Sequence, residues 1–189
     1  QTWDASSQKI EFVDPATYGI NLNQSMPNST KIPPSDAALR NSSLLTYASF
    51  SGQYSGTTQV VKIPFPYWEL WYTAEPISSD IRQQAEVSGI YIVTPTEGAF
   101  ESGFSGSYST AMPVLTIQVM DADDPNRIAR TINPPGGLDP SLWSGDSDPR
   151  PWKEKFYEGQ RSYYFIVKAA ILKSYTIDVK IPPSYVGKY

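Results

Sequence analysis

The alternation of apolar and polar positions is clearest near the C-terminus. In "SYTIDVKI" (174–181), Tyr175, Ile177, Val179 and Ile181 share one face, and Thr176, Asp178 and Lys180 share the other. That two-residue period predicts an antiparallel strand with one wet face. "PVLTIQVMDADDPNRIARTI" (113–132) reads as a hairpin: Leu115, Ile117 and Val119 point one way, Thr116 and Gln118 the other, and "DDPN" supplies turn chemistry. Further strands are predicted at "LLTYASF" (44–50), within "TTQVVKIPFPYWELWYTA" (57–74), at "GIYIVT" (89–94) and at "RSYYFIVKA" (161–169). "ISSDIRQQAEV" (77–87) fits a short Ser-capped helix or an alternating strand equally well.

Between these runs, "NPPGGLDPSLWSGDSDPRPW" (133–152) has the Pro, Gly and Asp density of a long loop. "KEKFYEG" (153–159) is expected to lead into the next strand, with Gly159 at an unusual φ. Residues 1–43 lack periodicity and are rich in turn formers. The predicted organisation is an extended segment, 1–43, packing on one domain, 44–189. Many strands with Pro/Gly-rich connections predict an all-β fold. The expected architecture is an antiparallel β-sandwich, jelly-roll or immunoglobulin-like, with long loops and at most one or two short helices.

One segment breaks the half-wet pattern. In "PYWELWYT" (66–73), Trp68, Leu70, Tyr72 and Ala74 should face the core, which leaves Tyr67, Glu69, Trp71 and Thr73 on the opposite face. Same-face neighbours on a strand are about 7 Å apart, so Tyr67 and Trp71 flanking a carboxylate could stack on sugar rings. The competing expectation is a strand covered on both faces, by the N-terminal segment or the 133–160 loop. Glu69 then meets an Arg or a backbone donor, because a buried charge needs a partner.

Composition narrows the chemistry. Hydrophobic residues make up 40% of the 189, enough for a core, while charged residues make up only 18%. The surface must therefore be rich in neutral polar side chains, a trait of secreted proteins. There is no His and no Cys. Ser-His-Asp and Cys-His nucleophilic catalysis are excluded in their common forms, as are ordinary zinc, copper and haem sites and disulfides. A net charge of −4 shows no basic footprint for nucleic acid. No apolar run is long enough to cross a membrane, and the chain is expected to be a mature piece whose leader or anchor lies outside it. Sequons at Asn23, Asn28 and Asn41 suit an exposed extracellular segment.

Three blocks carry a resemblance: "FSGQYSGTTQVVKIPFPYWELWYT", "LTIQVMD" and "FYEGQRSYYFIVKAAILKSYTIDVKI". They cover about half the chain and are similar to small β-sandwich modules in secreted proteins and lipoproteins of bacteria and archaea. The overall wording also resembles surface proteins of methanogenic archaea. The resemblance implies a sandwich outside the cell and no particular activity.

Candidate sites follow. Tyr67, Glu69 and Trp71, with Trp143 and Trp152 from the long loop, are candidate ligand-binding residues. Asp121, Asp123, Asp124 and Asn126 form an oxygen-rich loop of the kind that binds Ca²⁺, although the EF-hand Gly and closing Glu are missing and turn chemistry explains the same residues. In the long loop, Arg150 is expected to pair a nearby Asp. Carboxylate pairs such as Glu69 with Glu75, or Asp146 with Glu158, could support glycoside hydrolysis, which needs no His, although nothing in the spacing selects any of them. The leading expectation is a non-catalytic extracellular or cell-surface module acting through protein or envelope contacts, with no cofactor. Its alternatives are a carbohydrate-binding module and a His-free glycoside hydrolase. An open groove lined by Trp71 and a second Trp would favour the first alternative, and two carboxylates facing across a cleft the second.

Overall fold

The computed structural model describes residues 2–19, 43–77, 112–124, 127–140, 143 and 147–189. Within them the protein is an all-β sandwich of two sheets. One sheet has the order β1-β3-β11-β6-β9: β1 (Gln8–Lys9), β3 (Leu45–Gly52), β11 (Leu172–Ile181), β6 (Trp68–Pro76) and β9 (Trp152–Phe156). The other has the order β2-β4-β10-β7-β8: β2 (Phe12–Val13), β4 (Gly56–Thr58), β10 (Arg161–Ala170), β7 (Val114–Asp121) and β8 (Ile128–Ile132), with β5 (Val61–Ile63) also pairing β10. Pairing is antiparallel except for β1, which runs parallel to β3. Of the predicted elements, 89–94 and nearly all of 77–87 lie outside the described residues, as do Asn23, Asn28 and Asn41.

Periodicity explains the pairing. On β11, Tyr175, Ile177, Val179 and Ile181 are buried, and on β7 so are Leu115, Ile117 and Val119. A one-residue slip in either strand would turn these side chains out to water, so the hydrophobic pattern itself holds the register. The faces close on an aromatic interior. Trp68 stacks on Phe156 at 3.9 Å, Tyr72 on Trp152 at 5.4 Å, and Phe50 meets Phe165 across the sandwich at 5.3 Å. Such pairs add about 1 kcal/mol each beyond the area they bury.

The N-terminal residues join both sheets. β1 extends the first and β2 the second, while Ile10 between them is buried. Trp3 enters the end of the core against Tyr47 and Phe65, and its backbone bonds to Gly187 and Tyr189.

β10 carries apolar residues on both faces. Tyr163, Phe165 and Val167 join the main core, whereas Tyr164 and Ile166 form a second cluster with Met120 and Ile128 on the outer side. Tyr18 caps that cluster, its ring stacked 4.2 Å from Tyr164. β9 is a strand where the sequence suggested a loop and a lead-in. Its pattern had the strand period all along: Trp152 and Phe156 face in, Lys153 and Lys155 face out.

Gly159 is required for a different reason from the one expected. Its φ is not in the left-handed region; instead a Cβ there would sit 1.5 Å from the Phe65 carbonyl oxygen. The neighbouring Gln160 takes the positive φ, 60°. A side chain at 159 must push β5's exit away from the turn into β10. Gly159→Ala is therefore expected to lose about 1–3 kcal/mol of stability, the usual range for steric overpacking. Equilibrium urea unfolding checks this, and Gly159→Ala with an unchanged midpoint would contradict it.

Candidate functional site

The outer face of the five-stranded sheet is built from cross-strand rows. Register pairs Lys9 with Ser49, Ser49 with Asp178, Asp178 with Trp71 and Trp71 with Lys153, one residue from each strand. At about 4.8 Å per strand, the row spans about 19 Å. The next row holds Lys180, Glu69 and Lys155, and the row on the other side holds Ser51, Thr176 and Thr73. Trp71 is the one large aromatic in the middle of this polar grid, and it is partly exposed.

Glu69 lies beneath it, 8% exposed. Its two oxygens are satisfied separately. The Tyr67 hydroxyl donates to Oε1, and the Trp71 indole Nε1 donates to Oε2 at 2.7 Å. The expected Arg or backbone donor is not what meets this carboxylate. Two aromatic donors at the flanking same-face positions do so, because the two-residue period places them there. Tyr67 is itself buried, and its ring lies 5.2 Å from that of Tyr157. Burial, then the hydrogen bond and negative charge of Glu69, hold the Tyr67 hydroxyl far above its ordinary pKa.

Lysines flank the indole. Lys153 Nζ sits 4.1 Å from the Trp71 ring centroid and Lys180 Nζ 5.5 Å, on the strands to either side. Lys180 is also tied to Thr46 Oγ1 at 2.6 Å and to Asp178 at 3.3 Å, while Ser49 donates to Asp178 at 2.6 Å. An open cleft of about 750 Å³ adjoins the β1 side of this face, lined by Ser7, Gln8, Lys9, Glu11, Ser49 and Thr176 among others.

The expected aromatic platform divides between two faces. Tyr67 and Trp71 are on the outer side of the sheet. Trp152 is buried on the inner side against Tyr72, with Trp143 edge-on to it at 5.5 Å. Arg150 covers Trp143 at 4.7 Å and binds Asp148, Glu75 and the Ala74 carbonyl. Its guanidinium hydrogen bond pulls the Asp148 carboxyl down to about 2. Lys153 and Lys155 were not singled out by sequence, although the alternation in "WKEKF" was their signal; Asp178 and Lys180 were placed on the wet face of their strand but not in a site.

The acidic loop is organised by arginines. Asp121 is fully buried, and its Oδ2 accepts from Arg161 at 2.7 Å and from Arg127 at 3.2 Å. Arg127 reaches on to Glu158 at 2.5 Å. Asp123 accepts from the Ser162 backbone at 2.9 Å. Two guanidinium groups thus face Asp121, while Asp123 is met by a backbone N–H. Asp124 carries the backbone acceptor of the turn from Arg127, Asn126 lies outside the described residues, and no group of three potential metal ligands converges among the described residues. Of the hydrolytic pairs, Glu69 and Glu75 are six residues apart on one strand, about 20 Å, and Asp146 lies outside the described residues.

Two outcomes are expected. Glu69→Ala strands a buried hydroxyl and an indole N–H, at a cost of about 2–4 kcal/mol, whereas Glu69→Gln keeps an acceptor and loses less; thermal unfolding of the two variants checks the order. Alkaline titration gives the second. Burial raises the pKa of Tyr164 to about 12 and also raises those of Tyr72, Tyr163 and Tyr175. A folded pKa above the unfolded value of 10.0 means that the stabilisation is complete below pH 10 and is lost as pH rises towards 12 and beyond. Near-ultraviolet dichroism should therefore collapse in the step in which tyrosinate absorbance rises beyond what Tyr54 and the other accessible tyrosines give; absorbance of all 13 tyrosinates with the dichroism intact would contradict it.

No protein-family model matches this sequence, and no curated protein or solved structure is significantly similar to it.

Proposed function

We propose that this chain is a non-catalytic β-sandwich module of a secreted or cell-surface protein, and that its working surface is the outer face of the β1-β3-β11-β6-β9 sheet. The observation that carries the reading is Trp71. It is an aromatic side chain left partly open at the centre of a flat polar face and fixed by its bond to Glu69. Rigid Trp residues ringed by polar neighbours are where binding energy concentrates in protein interfaces. The low charge content and the Ser/Thr-rich face fit an extracellular setting.

The rival readings draw less support. Lys153 occupies the indole face that a sugar ring would need, Tyr67 is buried, and Trp152 belongs to the core. For hydrolysis, Glu69, Glu75 and Glu158 are each engaged by donors or by arginine.

A photoreactive amino acid placed at Thr176, in the middle of the face, tests the reading in the cells that make the protein. Crosslinks to a macromolecule are expected from Thr176 and not from Lys168, which is exposed on the other sheet. Equal yields from both positions, or none from Thr176, would overturn it.

A further inference from the structure

We infer that the face centred on Trp71 receives an acidic, extended peptide segment of a partner protein. This deepens the proposed function and rests on it. The groups on the face differ in the bonding capacity they have left. The carboxylates of the rows around Trp71 are engaged: Glu69 is held by Tyr67 and Trp71, Asp178 by Ser49 and Lys180, and Glu75 by Arg150, while the exposed Glu11 lies off these rows, in the cleft beside β1. The exposed lysines are not. Lys9, Lys153 and Lys155 are all exposed, and none has an ion pair among the described residues. The hydroxyls of Ser51, Thr73 and Thr176 likewise have no hydrogen-bond partner among the described residues. A chain of net charge −4 thus offers, at the β6–β9 end of this face and away from Glu11, free groups that are ammonium and hydroxyl, which complements carboxylates.

The spacing favours a peptide. Lys153 and Lys155 are alternate residues on one strand, about 7 Å apart, which is also the spacing of residues i and i+2 in an extended chain. Two acidic side chains in an X-acid-X-acid segment would meet the two lysines in register. The indole contributes as a partly desolvated neighbour. It holds Lys153 Nζ at 4.1 Å through cation–π attraction, so the ammonium is already positioned when a carboxylate arrives. Stacking of a sugar ring, by contrast, requires that ammonium to leave.

Lysines on an edge strand also deter sheet-to-sheet aggregation. Here the Lys155 carbonyl is already capped by Arg130 Nη1 at 3.0 Å, so the edge has a guard that does not depend on the lysine side chains.

Calorimetric titration with poly-L-glutamate at about 0.05 M salt is the test, since charge pairing at an exposed face is screened as salt rises. Wild type is expected to bind, and Lys153→Gln/Lys155→Gln to bind at least about tenfold more weakly, a loss of about 1.4 kcal/mol. Lys62→Gln/Lys168→Gln, which removes two exposed lysines of the other sheet, should bind as wild type does. Dichroism and melting temperature confirm that each variant is folded. The inference is overturned if poly-L-glutamate gives no heat, if both double variants weaken binding equally, or if heparin binds at this face and poly-L-glutamate does not. Aggregation of Lys153→Gln/Lys155→Gln with undiminished affinity would show edge guarding instead, and would also overturn it. A crosslinked partner at Thr176 that lacks an acidic stretch would overturn this inference while leaving the surface assignment standing.

Discussion

A buried carboxylate on the outer face of a central strand is the constraint around which this structure is arranged. β6 puts Trp68, Leu70, Tyr72 and Ala74 into the core, so Glu69 must face the opposite way. There it is almost sealed from water. Leaving it unpaired would cost several kcal/mol, far more than any one surface contact returns. The donors nearest to hand are those two residues away on the same face, and the sequence places Tyr67 and Trp71 at those positions. Once both donate to Glu69, the indole has one orientation. Lys153 and Lys180 then fall on either side of it because β9 and β11 are the two neighbours of β6. The face acquires a rigid centre from three residues at alternate positions of one chain segment.

The margins of the sandwich follow a similar rule. With few charged residues available, the described arginines tie together elements that are far apart in the chain. Arg130, on β8 of one sheet, bonds Glu154 on β9 of the other at 3.0 Å and covers Phe156 at 4.5 Å. Arg127 and Arg161 converge on Asp121 where the β7–β8 hairpin meets the start of β10. Arg150 closes the 147–152 segment over Trp143 and onto the end of β6. In each case the planar guanidinium bridges elements distant in sequence, a task for which its fork of donors is better suited than an ammonium group.

How much of this was legible in the chain depended on whether the cause was local. β11 and β7 could be read residue by residue, because burial on one face imposes a period of two. The facing of Trp68 and Trp71 to opposite sides of β6 followed from the same rule. β9 was hidden by its Pro-rich approach, although Trp152, Glu154 and Phe156 alternate with Lys153 and Lys155. Missing that alternation made Trp152 look like a companion of Trp71, when the sheet separates them. The partners of Asp121 were illegible for another reason. Arg161 is 40 positions away and arrives only through the pairing of β10 with β7, so no local pattern could show that it bonds the first acid of this turn. Gly159 looked like a torsional glycine, yet what demands it is the approach of the Phe65 carbonyl, which no local pattern encodes.

The orientation of the Trp71 indole by Glu69 is the claim beneath both the surface assignment and the ligand it is given. Hydrogen exchange of the Trp71 indole N–H, followed by nuclear magnetic resonance, tests it directly. The account predicts exchange strongly slowed relative to a free indole despite the partial exposure of the ring, with the protection lost in Glu69→Ala. Exchange at the free-indole rate in the wild-type protein would contradict it.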